Sequence, residues 1–221
     1  MEDDGMNMGL TMGMEAPLFL ATWVVMMVAM MFPTAAPMVL LFNRVHSQRR
    51  ERGRAFVPTW VFVAGYLVVW SAFGVVAYAG ALLGEEAAGR WMWLMDNAAR
   101  LGGAVLIAAG LYQLSPLKDM CLTKCRMPLT FIMTSWREGY GGALRMGLEH
   151  GKYCLGCCWL LFVILFPLGI MNVAAMALVT VLIFMEKAWR FGTQARFAAS
   201  AVLIGLGALV LANPDLLPTV L

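Results

Sequence analysis

The chain has 221 residues, of which 62% are hydrophobic and 13% are charged, with a formal net charge of +3 and a mean hydropathy of +0.77. A soluble globular domain is about half apolar and a quarter charged, so one water-soluble core cannot bury this much apolar surface. The composition therefore predicts an integral membrane protein in contact with the lipid bilayer. It excludes a nucleic-acid-binding module, a Rossmann fold, a secreted disulfide scaffold and a separate soluble catalytic domain.

Six apolar runs alternate with charged or turn-forming stretches, and each run is near the ~20 residues that a membrane-spanning helix needs. In chain order the runs cover residues 17–42, 58–83, 93–112, 147–166, 169–185 and 197–212. The fourth and fifth runs could instead form one broken hairpin around Pro167-Leu168-Gly169, which is turn chemistry. The predicted fold class is all-α: a polytopic transmembrane helix bundle of about six spans, forming a single domain over residues 1–221.

The basic residues predict the orientation, because Lys and Arg accumulate on the cytoplasmic side of a membrane. Fourteen of the 16 lie in or beside the connections after the first, third and fifth runs, and the other connections hold only Arg90 and Arg100. Both termini are therefore predicted to lie outside, with residues 1–16 forming a methionine-rich extracytoplasmic tail. The N-terminus lacks the basic region of a cleavable signal peptide. The predicted location is the inner (plasma) membrane, with a multi-pass topology.

Two short motifs, CLTKC and CLGCCW, hold all five cysteines: Cys121, Cys125, Cys154, Cys157 and Cys158. His150 lies four residues before the second motif. Since each helical residue advances by about 100°, His150, Cys154 and either Cys157 or Cys158 fall on one helix face. The two cysteines of CLTKC share a face if that stretch is helical. Together the two segments supply enough soft ligands for a tetrahedral site, and thiolates select Cu(I), zinc or iron–sulfur clusters over hard cations.

The alternatives to a metal site are packing and a disulfide. A free cysteine packs as a small hydrophobic side chain, although five cysteines beside a histidine at helical spacing favour metal or thiol chemistry. A disulfide between the two motifs requires the opposite orientation, because disulfides rarely persist on the cytoplasmic side. Because the number of cysteines is odd, one thiol would remain without a disulfide partner.

Three further groups of residues have soft-ligand or ionisable side chains. In the first run, Met27, Met30 and Met31 present thioethers at helical spacing, which suit Cu(I) but also fill packing gaps. Glu186 ends the fifth run and is a candidate ligand or proton acceptor; the alternative is an interfacial ion pair with Lys187 or an arginine. The tail either collects Cu(I) weakly or holds its methionines incidentally: Met1, Met6, Met8, Met12 and Met14.

The motifs YQLSPLKDMCLTKCRMP, GLEHGKYCLGCCW, GIMNVAAM and MEK, with WVVMMVAMMFP in the first run, resemble a family of predicted metal-binding integral membrane proteins of bacteria and archaea. That family has a copper-chaperone-like label, and the resemblance spans most of the chain. It implies metal binding, chiefly of copper, with no settled activity. The positions to which the resemblance extends are Cys121, Cys125, Cys154, Cys157, Cys158, Asn172, Glu186, Met27, Met30 and Met31.

The predicted function is binding of Cu(I) by the Cys/His cluster, with methionine, for copper delivery to a membrane cuproenzyme or transport across the bilayer. A second hypothesis is a structural accessory subunit of a larger membrane complex, in which zinc or copper only joins two helices. A third is thiol-redox or mercury-type metal handling by the CxxC pair of Cys154 and Cys157. No phosphate loop or acid–base constellation is evident in the sequence, so we predict that the chain is not an enzyme.

Overall fold

The structure is a computed structural model that describes residues 10–11, 13–53, 56–170 and 172–216. Within those residues the chain forms helices and no strand, which confirms the all-α fold class. A 3-10 turn at Pro214–Leu216 follows the last helix. The helices are α1 (Ala16–Glu51), α2 (Thr59–Arg90), α3 (Met92–Asp96), α4 (Ala98–Gln113), α5 (Pro116–Arg126), α6 (Pro128–Ser135), α7 (Gly139–Val163), α8 (Leu165–Leu168), α9 (Val173–Ala188) and α10 (Gly192–Ala212).

Four helical segments of the described chain are long and apolar enough to cross a membrane: α1, α2, α7 continued through α8, and α10. α4 and α5 together make a fifth candidate, but the two are bent by 63° relative to each other. α9 corresponds to the fifth apolar run and has 16 residues, which is about 24 Å at the rise of an α-helix. The count of six spans and the placement of both termini outside therefore stay predictions.

Two helices extend well beyond their apolar runs. α1 continues to Glu51, because the arginine, glutamine and glutamate residues at its end are good helix formers that a hydropathy pattern does not detect. α7 begins at Gly139, eight residues before the fourth run. Between α8 and α9, Gly169 has a φ of 88°, which is the turn expected there. Asn172 follows that turn as the N-cap of α9, where its side chain accepts a hydrogen bond from the Ala175 N–H at 3.1 Å. Asn172 thus caps the start of α9.

Glycines bring α2 and α7 into backbone contact. A Cβ on Gly147 would clash with the Phe62 carbonyl, and a Cβ on Gly65 would clash with the Leu144 carbonyl. Such close approach of two helices is what small residues permit in membrane proteins. The contact sets the register in which Tyr66 of α2 reaches Cys154 of α7.

Replacing Gly147 by alanine is expected to destabilise the protein by about 1–3 kcal/mol, because the added methyl group has no room and the two helices must separate. Thermal unfolding in detergent measures the change. Gly141→Ala on the same helix is the matched control, since a Cβ there meets no heavy atom of the described residues within 4 Å. Equal stability of the two variants would contradict the close contact between α2 and α7.

Candidate metal centre

Three thiols lie together on the inward face of α7. Cys154, Cys157 and Cys158 are each about 1% exposed, and their spacing of three and four residues places them one helical turn apart on one face. The thiols of Cys157 and Cys158 donate hydrogen bonds to the Cys154 carbonyl oxygen at 3.1 and 2.7 Å. Their sulfur atoms therefore form one buried group on this helix.

The other two cysteines lie on α5, which packs against α7. Ser115 caps α5 by accepting a hydrogen bond from the Lys118 N–H at 3.2 Å, and Pro116 begins the helix, as is typical of helix starts. Cys125 packs against the buried cluster that contains Cys154, Cys157 and Cys158. Cys121 lies against Gly156 of α7, where a Cβ would stand 2.8 Å from its sulfur. The fold thus brings the two cysteine motifs together.

All five cysteines are free thiols, with no disulfide between the motifs. Within the described residues, no group of three or more His, Cys, Asp or Glu side chains is arranged to hold a metal ion as it stands. The sulfur atoms instead contact one another and their hydrogen-bond partners. Metal binding by these five residues therefore stays a prediction, and it requires their side chains to turn toward a common ion.

Lys187 and Tyr66 contact the thiols, and the sequence analysis identified neither as part of the site. The Lys187 ammonium lies 3.0 Å from Cys154 Sγ and 3.5 Å from the Thr34 hydroxyl, and the Tyr66 hydroxyl lies 3.1 Å from the same sulfur. Lys187 follows Ile183 by four residues and so lies on the same face of α9, but only the packing of α9 against α7 brings it to the thiols.

Glu186 pairs with a lysine that the sequence analysis did not consider. Its carboxylate accepts a hydrogen bond from Lys118 Nζ at 2.7 Å, and the two side chains are only 2% and 1% exposed. Glu186 thus forms an ion pair, but its partner is Lys118 rather than Lys187 or an arginine. Lys187 points elsewhere because adjacent helical residues are about 100° apart. Arg126 donates to the Glu186 carbonyl oxygen at 2.6 Å. The carboxylate oxygen Oε1 is buried without a partner among the described residues.

His150 occupies an aromatic pocket one turn before Cys154. Its ring lies 5.9 Å from that of Phe62, 5.8 Å from that of Tyr66 and 5.4 Å from that of Phe131. The Nδ1 atom is buried and makes no hydrogen bond to any described residue. His150 thus shares the predicted helix face with the thiols, but its contacts are with rings, and its role as a ligand stays a prediction.

The predicted methionine ligands of α1 are buried in the same apolar cluster as four of the thiols. Met27, Met30 and Met31 belong to the contiguous core that includes Cys121 and the three cysteines of α7. The Met31 carbonyl accepts a hydrogen bond from the Thr34 hydroxyl at 2.9 Å, and this hydroxyl is a neighbour of Lys187. Met14 of the tail is described; Met1, Met6, Met8 and Met12 lie outside the described residues.

Comparison with known proteins identifies the family. A model of the PpoB2 copper chaperones matches residues 20–210, a span that includes both cysteine motifs and the methionines of α1. The chain matches no curated protein and no solved structure. Because the matched span is far more than half of the 221 residues, the chain belongs to the PpoB2 copper chaperone family.

Proposed function

We propose that this chain is a multi-pass membrane protein that binds Cu(I) between α5 and α7 and delivers it to another protein. The observation that carries the proposal is that Cys121 of α5 shares one buried cluster with the three cysteines of α7, and that Cys125 packs against that cluster. Soft sulfur ligands from two helices are what Cu(I) prefers. The description of the family as copper chaperones supports copper as the ion that is delivered. Zinc is the alternative ion for a thiolate site.

Lys187 adds a positive charge to the proposed thiolate site. Copper(I) carries one positive charge, so two or more thiolate ligands leave the complex negatively charged. An ammonium group 3.0 Å from Cys154 Sγ compensates this charge, and in the low dielectric of a helix bundle such compensation is stronger than in water. Tyr66 fixes the position of the same sulfur from the opposite helix. These two residues orient a ligand, as the outer partners of metal sites do.

The arrangement suits release as well as binding. The methionines of α1 provide neutral thioethers on one side of the thiols, so an ion can exchange between weaker thioether and stronger thiolate ligands. Six spans with both termini outside would place the thiols near the cytoplasmic side of the plasma membrane. The proposed recipient is a membrane cuproenzyme or a larger membrane complex.

Metal analysis of the purified full-length protein, prepared with reductant and without chelator, tests the proposal. About one copper per chain is the expected result. Zinc in place of copper would instead favour the structural accessory role, in which the ion only joins α5 to α7. Protein without bound copper, even after addition of Cu(I), would contradict the proposal.

Replacing Lys187 by leucine is expected to weaken Cu(I) binding about 10–100-fold, the usual effect of removing a residue that orients a metal ligand. Competition with a coloured Cu(I) chelator measures the affinity. Lys152→Leu is the matched control, because Lys152 lies on α7 with an exposed side chain. Equal affinities of the two variants would show that Lys187 does not support the site.

A further inference from the structure

The first described residues of the chain are hydrogen-bonded to one end of the helix bundle. The backbone N–H and the hydroxyl of Thr11 both donate to the Glu85 carboxylate of α2, at 2.6 and 2.8 Å. The Met14 N–H then donates to the Thr11 carbonyl at 3.1 Å, in a turn where Gly13 has a φ of 65°. This turn holds Met14 beside the start of α1.

Met14 and Met26 line one small cavity at that end of the bundle. The lining residues are Met14, Phe19, Thr22, Trp23, Met26 and Ile170, and the cavity holds about 10 Å³. This is room for one small ion or one water molecule, and too little for an organic ligand. The Trp23 indole is fixed in place, because its Nε1–H donates to the Trp70 carbonyl at 3.1 Å.

We propose that this cavity is a second Cu(I) site, formed by the thioethers of Met14 and Met26 and the indole of Trp23. Thioethers are neutral, soft ligands that favour Cu(I), and a tryptophan ring attracts a cation more strongly than other aromatic rings do. The six lining residues include no carboxylate, so the cavity lacks the charged oxygen ligands that magnesium or calcium prefers. The inference rests on the proposed function, since copper is the cargo in both.

The position of the cavity makes it the first of two sites in series. Met26 precedes Thr34 by eight residues of α1, which is about 12 Å along the helix, and Thr34 adjoins Lys187 and the thiols. Met30 lies between them, on the same helix face as Met26. In the predicted orientation this cavity faces the extracytoplasmic side. An ion bound there would move from two thioethers toward the thiolates, which bind it more tightly.

Titration of the reduced, purified protein with Cu(I) against chelators of graded affinity tests the second site. The wild type is expected to bind one equivalent tightly and a second at least tenfold more weakly. Met26→Leu and Met14→Leu conserve volume and are each expected to remove the weak equivalent while leaving the tight one. Because Met26→Leu leaves the tail unchanged, its loss of the weak equivalent cannot come from other tail methionines.

Cys154→Ser separates the two claims, since it should lose the tight equivalent and keep the weak one. If Cys154→Ser does not fold, the weak second equivalent is measured in the wild-type protein, after the tight equivalent has been filled. Met133→Leu is the control, because Met133 is 74% exposed on α6. A weak equivalent that persists in Met26→Leu would overturn the second site and leave the thiol site intact. A wild-type protein that binds no tight equivalent of Cu(I) would overturn the proposed function itself.

Discussion

Replacing Cys154 by serine is expected to abolish tight Cu(I) binding at the thiol centre. The candidate centre converges on the Cys154 sulfur, since Lys187 and Tyr66 contact it and Cys125 packs against the buried cluster that contains it. A serine hydroxyl has nearly the same shape but is a hard ligand that Cu(I) does not favour. The loss of affinity should exceed the ~10–100-fold loss that follows removal of a residue that only orients a metal ligand.

Chelator competition on matched preparations measures the effect of Cys154→Ser. Met120→Leu is the control for a sulfur atom outside the centre, because Met120 is 55% exposed on α5 next to Cys121. Tyr66→Phe removes only the hydroxyl that contacts the sulfur, so a smaller loss of affinity is expected. If Cys154→Ser bound copper as well as Met120→Leu did, the thiols of α7 would not be the binding site.

Replacing Glu186 by leucine is expected to destabilise the protein by about 3–5 kcal/mol, because it leaves the Lys118 ammonium buried without its counter-charge. The side chains of this pair are almost fully buried, and Lys118 Nζ lies 2.7 Å from the carboxylate. The pair joins α5 to α9, so its loss should also loosen the helix that holds Cys121 and Cys125. The midpoint of thermal unfolding in a mild detergent measures the change.

The double variant Lys118→Leu, Glu186→Leu is expected to recover most of the lost stability, because replacement of a whole buried pair by apolar side chains is often neutral. Arg90→Leu is the control, since the Arg90–Glu86 pair is exposed and should contribute less than about 1 kcal/mol. A double variant as unstable as Glu186→Leu would contradict the claim that the two side chains mainly neutralise each other's charge. The copper affinity of the double variant also tests whether Glu186 is a ligand. If Glu186 binds the ion, the double variant should bind copper more weakly than the wild type even though its stability has recovered.

The sequence was sufficient to predict the all-α fold class and the shared face of the α7 cysteines, because both depend on local periodicity. His150, Cys154 and Cys157 repeat at three and four residues, and any helix puts such residues on one side. The start of α5 could also be predicted, since Ser115-Pro116 is a helix-start signal. A hydropathy pattern does not define helix ends, so the extension of α1 to Glu51 was missed.

The pairing of charged groups could not be predicted, because it depends on how distant helices pack. Lys118 and Glu186 are 68 residues apart, whereas Lys187 adjoins Glu186 in the chain and is a partner that the local sequence offers. In the fold the two neighbours point in different directions, and Lys187 reaches the thiols instead. His150 illustrates the same limit, since the rings of α2 and α6 that surround it come from other parts of the sequence.

X-ray absorption at the copper edge of the Cu(I)-loaded Met26→Leu variant, which lacks the proposed second site, identifies the atoms bound to the ion at the thiol centre. Joint binding by α5 and α7 predicts that one tightly bound copper has a shell of sulfur atoms alone, and that this shell is lost when either Cys125→Ser of α5 or Cys154→Ser of α7 is added. A shell of nitrogen or oxygen atoms, or a sulfur shell that survives either substitution, would contradict joint binding by the two helices.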